Sequence, residues 1–329
     1  MIQSELEVPA HPPVSKSCDV TLVVPITSSK AEFEQVVAAF CRELERLGRS
    51  WECILVFDGI KGEAFERGVA LQVASNGRIG TIALHRPFGE SVCLSSAFEN
   101  SRGELILTLP QYVQIDPHEL SKLFEALDNG ADMAATRRDP RVDSRLNQAQ
   151  SAMFNWVVRI VTGANFRDLN STTRLMRREV LEQLTIYGSM YRYLPATAYR
   201  QGFRVDEVPV RHLAEWGGTS VFGPGAYLRR ALDVVGLMFL SRFTHKPLRF
   251  FGALGGAAIF FGALLIAWQL GMWTLDDGSY GLFVRPSFLF GVLLVVLGSQ
   301  TIGFGLVGEI IIYTQARNLR EYRIEKVYE

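Results

Sequence analysis

Residues 104–119 read Glu104-Leu105-Ile106-Leu107-Thr108-Leu109 and then Pro110-Gln111-Tyr112-Val113-Gln114-Ile115-Asp116-Pro117-His118-Glu119. The first six form a short apolar run bounded by Gly103 and Pro110, which in an α/β chain marks a buried parallel strand. Ligands of open α/β sheets bind just past the carboxyl ends of the strands, so the residues after Leu109 stand where chemistry is expected. They carry little charge: the first acid is Asp116.

Outward from this strand the alternation of apolar runs and helical periodicity repeats. Residues 19–24 form a strand stopped by Pro25, and residues 30–47 show helical spacing through Phe33, Val36, Val37, Phe40 and Leu44. A second strand covers 51–57 and closes on Asp58-Gly59; a third covers 80–84, and 88–101 is a helix. Beyond Pro117 come a helix to Leu127, a strand at 132–136, a long helix at 146–162 and a last apolar stretch at 203–210. Strand, helix and strand at this spacing predict βαβ units in a mostly parallel sheet.

The chain has 329 residues with 34 basic and 34 acidic side chains, a neutral balance that points away from nucleic acid. Residues 250–273 carry no charge, and residues 287–313 are apolar apart from Gln300 and Glu309, against about 20 residues needed to cross a bilayer. Two transmembrane helices are expected. Arg242, Lys246 and Arg249 precede them and Arg317, Arg320, Arg323 and Lys326 follow, while the loop between holds Asp276, Asp277 and Arg285, so both termini are expected in the cytoplasm. The amino-terminal residues resemble no signal peptide, and the first span is expected to direct insertion. Cys18, Cys41, Cys53 and Cys93 lack metal-ligand spacing and read as reduced, mostly buried thiols. Between sheet domain and spans, Leu228, Leu232, Val235 and Phe239 share one helical face in 224–250, as in a helix lying on the inner leaflet. Gly252 and Gly256 form a G-x-x-x-G, and Gly291, Gly298, Gly303, Gly305 and Gly308 give the second span a smooth face, suited to packing of the spans on each other or to a homo-oligomer.

Several stretches resemble the polyprenyl-phosphate glycosyltransferases, relatives of dolichyl-phosphate mannose synthase within the inverting family 2 enzymes of GT-A fold. His85-Arg86-Pro87-Phe88-Gly89-Glu90 is similar to that family's R-N-F-G-K, and residues 168–179 (DLNSTTRLMRRE) to its D-T-G-C-P-L-K-A-F-R-R-E. Tyr191-Arg192-Tyr193-Leu194-Pro195 is similar to H-R-F-L-P, and Gly218-Thr219-Ser220-Val221-Phe222-Gly223 to G-T-S-K-Y-G. The resemblance covers residues 19–329. It implies a GT-A (Rossmann-like, mostly parallel α/β) cytosolic domain, interfacial helices and two carboxyl-terminal spans, placed in the inner or plasma membrane of a bacterium. The expected boundaries are an unstructured arm at 1–17, the GT-A-like domain at 18–211 and juxtamembrane helices at 212–249. Spans at 250–273 and 287–313, with a loop at 274–286 and a tail at 314–329, complete the chain.

The chain also departs from the family. Where P-V-Y-N-E is usual, Pro25-Ile26-Thr27-Ser28-Ser29 has no acid; V-D-D-G-S becomes Val56-Phe57-Asp58-Gly59; and the metal-binding Asp-x-Asp stretch D-A-D-L-Q becomes Pro110-Gln111-Tyr112-Val113-Gln114. The resemblance implies Mg²⁺ or Mn²⁺ holding the departing nucleoside diphosphate, an effect worth several kcal/mol. Proline, glutamine and tyrosine do not replace two carboxylates, so no metal ligand is assigned. Arginines aimed at the developing charge are the alternative, each contributing about 3–4 kcal/mol in a dry, preorganised site.

These considerations give the candidate site. Asp116, Asp168 and Arg137 are the candidate catalytic residues, with Asp116 equally readable as a helix cap before Pro117. Pro25, Asp58, Arg86, Gln111 and Tyr112 are the donor-binding candidates, and Arg138, Arg174, Arg192 and Ser220 the lipid-phosphate candidates. The expected partners are a UDP- or GDP-linked sugar, a lipid phosphate and the membrane. A prenyl phosphate is largely ionised near neutral pH, so a general base is dispensable. The alternative function is an inactive, glycosyltransferase-like membrane scaffold.

Overall fold

The computed structural model describes residues 18–140, 159, 166–184, 190–213, 247–275 and 285–315. The expected amino-terminal arm, the helix at 146–162 apart from residue 159, Ser220, the leaflet helix up to residue 246, the loop aspartates Asp276 and Asp277 and the basic tail lie outside these residues. The chain divides into two compact units, Met1–Asp233 and Val234–Glu329.

In the first unit seven strands form one sheet in the order β3-β2-β1-β4-β6-β5-β7. They are β1 (Val20–Ile26), β2 (Trp51–Asp58), β3 (Ile79–Leu84), β4 (Leu105–Thr108), β5 (Met133–Arg138), β6 (Arg174–Arg177) and β7 (Val205–Val210). All neighbours pair parallel except β6, which runs antiparallel to both β4 and β5. β1 is buried along its whole length, as a central strand covered on both faces must be.

The helices are α1 (Phe33–Arg46), α2 (Glu63–Ala74), α3 (Glu90–Glu99), α4 (Leu120–Asp128), α5 (Arg178–Gln183) and α6 (Leu194–Arg200). α1 lays Phe33, Val36, Val37, Phe40 and Leu44 on one sheet face, together with Leu22, Leu55, Phe57 and Leu107. The other face holds Val23, Ile54, Val56 and Ile106 against Cys93, Leu94 and Ala97 of α3. Cys41, Cys53 and Cys93 are buried, and burial pushes the Cys41 and Cys93 thiols up to about 12.

Three elements differ from the sequence reading. β1 does not stop at Pro25 but runs to Ile26, with Pro25 opposite Val56. Val23 O accepts from Leu109 N, so Val23 and Pro25 present their polar groups toward β4; the β1–β4 ladder ends at Val23–Thr108, and the missing proline N–H interrupts nothing. Helix α2 had no signature because only Ala64 and Gly68 are buried, and neither is a large apolar residue that would mark a core-facing stripe. Strand β6 is four residues long, too short for a periodicity, and it is held only by tertiary pairing.

The second unit contains α7 (Pro247–Leu275) and α8 (Pro286–Gln315), two antiparallel helices long and apolar enough to cross a membrane. Their backbones touch at glycines: a Cβ on Gly255 would stand 2.5 Å from Gly298 O, and one on Gly262 would stand 2.7 Å from Gly291 O. Gly252 and Gly256, the G-x-x-x-G pair, instead point into open space. Glu309 accepts the Leu248 N–H at 3.3 Å, so a carboxylate within α8 meets the exposed amides at the start of α7.

Candidate active site

The carboxyl ends of β1, β2, β4 and β5 share one edge of the sheet. Because β6 is antiparallel, its amino-terminal end arrives at the same edge, with Arg174 opposite both Thr108 and Ala135. Most of the candidate residues therefore lie along this one edge, although they span residues 58–192 in sequence.

At the end of β4, Gln111 turns its side chain onto the loop after β1. Its Oε1 accepts the backbone N–H of Thr27 at 3.0 Å and of Ser28 at 3.1 Å. The side-chain oxygen is thus consumed in tying the two loops together. Tyr112 lies beside it, half-buried, with Gln114 Nε2 3.5 Å from its hydroxyl.

Asp58 ends β2 as a buried carboxylate. Oδ1 accepts from Phe88 N at 2.6 Å and Oδ2 from Gly89 N at 2.9 Å, so it holds the loop leading into α3. Gly59 completes this contact: at φ +70° it sits in a conformation that suits glycine, and a Cβ there would lie 2.5 Å from Pro87 Cδ. Arg86 is exposed on that loop, with its guanidinium 5.0 Å from the Phe88 ring centre.

The third connection crosses from β5 to the loop before β6. Arg138 donates Nε to Asp168 Oδ2 at 2.7 Å and Nη2 to Oδ1 at 3.0 Å, and its own backbone N–H to Oδ2 at 3.2 Å. Glu207 on β7 supports the same loop, accepting the N–H groups of Arg167 and Asp168 at 2.7 and 2.8 Å. Burial raises the Glu207 carboxyl above its ordinary range, partly offset by those two hydrogen bonds and by Arg137. Arg137 is a quarter exposed, its Nη2 3.4 Å from Asp139 Oδ2.

Arg174 is wholly buried, and its guanidinium donates to the carbonyls of Tyr191, Leu169 (3.2 Å) and Arg192 (3.1 Å) while packing on the Tyr191 ring. Burial pulls its pKa below the usual arginine value. The side chain shapes the Tyr191-Arg192 turn, and Arg192 beside it is half-buried. Hydroxyls fill the remaining space: Thr108 Oγ1 donates to Thr172 O at 2.7 Å, Thr136 Oγ1 to Thr173 O at 2.8 Å, and Thr136 meets Ser171.

Two candidates stand elsewhere. Pro25 is enclosed in β1. Asp116 caps the turn Pro117–Glu119, its Oδ1 accepting His118 N at 3.1 Å, with its backbone N–H bonded to Arg211 O at 3.2 Å. Sequence reading missed Glu207, since nothing in residues 203–210 shows that this acid receives the amides of a loop about 40 positions upstream.

A divalent cation is the group that the resemblance implies at this edge, and the residues present do not fit it. The Asp-x-Asp position holds Pro110-Gln111-Tyr112, Gln111 Oε1 already accepts two N–H groups, and no cluster of three His, Cys, Asp or Glu side chains able to hold a metal occurs among the described residues.

Comparison with known proteins places these features in context. The family described as Glycosyl transferase family 2 matches residues 21–185, half of the chain. The undecaprenyl-phosphate 4-deoxy-4-formamido-L-arabinose transferase of Shewanella sediminis (strain HAW-EB3) is 27% identical over 316 residues, covering 94% of this chain and 92% of that protein. Among solved structures, glucosyl-3-phosphoglycerate synthase from Mycobacterium tuberculosis aligns with a TM-score of 0.50 at 16% identity, over 68% of this chain and 79% of that one. Mannosyl-3-phosphoglycerate synthase from Rubrobacter xylanophilus aligns with a TM-score of 0.50 at 15% identity, over 67% and 73%. These likenesses show the fold, a GT-A α/β domain.

Proposed function

The chain belongs to glycosyl transferase family 2, and from that membership we propose that it transfers a sugar from a nucleotide-sugar donor to a polyprenyl phosphate at the cytoplasmic face of a membrane. The observation that carries the acceptor is the Shewanella relative, named for undecaprenyl phosphate, whose match takes in 94% of the chain. That length includes both long apolar helices as well as the α/β unit. A lipid acceptor gives those helices a purpose, since they keep the domain at the surface where the phosphate lies. The basic residues flanking the spans support cytoplasmic placement of both termini.

In this reading a phosphate oxygen of the acceptor attacks the anomeric carbon, the bond from that carbon to the donor diphosphate breaks, and the nucleoside diphosphate departs with the electron pair. The acceptor is already anionic, so no side chain has to remove a proton first. The chain's own part is positioning and charge. Gln111 and Asp58 fix the loops that line the donor, and Arg86 and Tyr112 meet the donor itself. Arg137, at the carboxyl end of β5, faces the charge growing on the diphosphate. Arg192, set by Arg174, forms the basic side toward the lipid phosphate, with Ser220 assigned to the same role by motif, whereas Arg138 is buried in its ion pair with Asp168 and holds the adjoining loop.

The test uses the full-length protein in lipid vesicles with undecaprenyl phosphate and a panel of labelled UDP- and GDP-sugars, together with nucleotide-linked 4-deoxy-4-formamido-L-arabinose. Label is expected to pass into the organic-soluble lipid fraction with one donor. Absence of transfer with every donor, where an active relative transfers under the same conditions, refutes the reading.

A further inference from the structure

The acids at the carboxyl edge of the sheet are engaged within the fold. Both oxygens of Asp58 accept backbone N–H groups, at 2.6 and 2.9 Å. Both oxygens of Asp168 hold the Arg138 guanidinium, at 2.7 and 3.0 Å, with the two side chains buried. Asp139 faces Arg137, and Glu207 takes the amides of Arg167 and Asp168. Glu90, the first residue of α3, is a single further carboxylate, and its charge acts on the buried Arg174. Mg²⁺ and Mn²⁺ are held by carboxylates and other oxygens in a shell of about six. Turning Asp58 or Asp168 toward such an ion would leave two amides, or a buried guanidinium, without an acceptor.

A second observation is that two loops at this edge are already joined. Gln111 reaches from the loop after β4 to the loop after β1, where its Oε1 lies 3.0 Å from Thr27 N, 3.1 Å from Ser28 N and 3.5 Å from Thr27 Oγ1. A metal ion bound with a diphosphate orients the groups around it and neutralises charge. Gln111 does the first with a neutral amide. For the second, the edge offers guanidinium groups: Arg86 is exposed and Arg137 a quarter exposed, whereas Arg138 and Arg174 are enclosed. A guanidinium keeps its charge at any working pH and presents parallel N–H groups to a phosphate. The Arg137–Asp139 contact is 3.4 Å long and Asp139 is 58% exposed, so a diphosphate exchanges with it at little cost.

We propose that the chain binds its nucleotide-sugar donor without a divalent cation, Gln111 joining the donor loops and Arg86 and Arg137 meeting the charge of the diphosphate. The inference rests on the nucleotide-sugar donor of the proposed function and goes beyond it by naming the residues that stand in for the cation. Residues 110–112 then act as a tie between loops, and the charge on the donor is met from β5 and from the loop after β3.

The experiment is calorimetry on the full-length protein in detergent micelles, with UDP, GDP, UDP-glucose and GDP-mannose as probes. At least one probe is expected to bind, with a Kd that agrees within about threefold in EDTA, in Mg²⁺ and in Mn²⁺. Arg86→Gln and Arg137→Gln are each expected to weaken that binding about three- to thirtyfold in EDTA. Arg86 is exposed, so its variant keeps the fold. Tightening beyond threefold by either metal overturns the proposal, as does binding of none of the probes or unchanged affinity in both arginine variants. Metal-insensitive binding without sugar transfer supports the inference while refuting the proposed function. Transfer that stops in EDTA supports that function and overturns the inference.

Discussion

Arg138 and Asp168 form a two-pronged ion pair at 2.7 and 3.0 Å with side chains 5% and 2% exposed, joining the end of β5 to the loop that begins the second family-like motif. A carboxylate and a guanidinium in this position have two parts to play. They hold the loop, and they neutralise each other's charge where water is excluded.

Removing one partner strands the other. Asp168→Ala is expected to lower unfolding stability by about 3–5 kcal/mol, because a buried guanidinium is left uncompensated. The double variant Arg138→Met with Asp168→Leu should recover much of that stability in denaturant titrations while sugar transfer stays absent. Additive losses in the double variant would contradict the pairing.

Gln111 makes a separate prediction about the donor. Gln111→Ala leaves the Thr27 and Ser28 N–H groups without their side-chain acceptor; because both lie near solvent, the cost is about 0.5–1.5 kcal/mol in stability. Under the proposed function, in which the loops that it joins line the donor, it should also raise the KM for the nucleotide sugar more than it lowers kcat. Glutamate at position 111 keeps an acceptor oxygen and should preserve the stability. Introducing Pro110→Asp with Tyr112→Asp, Gln111 retained, is expected to create divalent-cation binding detectable by calorimetry.

Gly59 is the sharpest backbone constraint at the site. Gly59→Ala combines a positive φ with a Cβ 2.5 Å from Pro87 Cδ. It is expected to lose about 1–3 kcal/mol and to loosen the Asp58 contacts with Phe88 and Gly89, seen as faster amide exchange at residues 88 and 89. Unchanged exchange there would mean that the two loops are not coupled through this turn.

Glu43 supplies the pH dependence. The hydrogen bond from Arg46 holds its buried carboxyl below the usual value of 4.5, against burial and with help from His118. A carboxyl lowered in the folded state stabilises fully above its unfolded pKa, and that contribution disappears as pH falls through the folded value. Glu43→Gln should therefore be less stable than the parent at pH 7, with the difference shrinking below about pH 4.5 in unfolding titrations. A difference that is constant down to pH 3 would remove Glu43 from the account.

How much of this was legible beforehand differs by element. The apolar runs at β1, β2 and β4, the periodicity of α1 and the two long uncharged stretches each follow from residue order, because burial imposes period two, period 3.6 or an unbroken apolar length on the residues that carry it. The sequence likewise shows that Asp-x-Asp is replaced by Pro110-Gln111-Tyr112. Tertiary structure alone decided that Gln111 is tied to the β1 loop, that Arg138 and Asp168 consume each other's charge, and that Arg174 turns inward onto three carbonyls. It also decided that Gly255 and Gly298, rather than Gly252 and Gly256, bring the two long helices together. These facts depend on which side chain meets which across separations of 5 to 84 residues. Hydrogen bonds and close backbone contacts are short-ranged and directional, and local pattern holds no record of a partner that far along the chain.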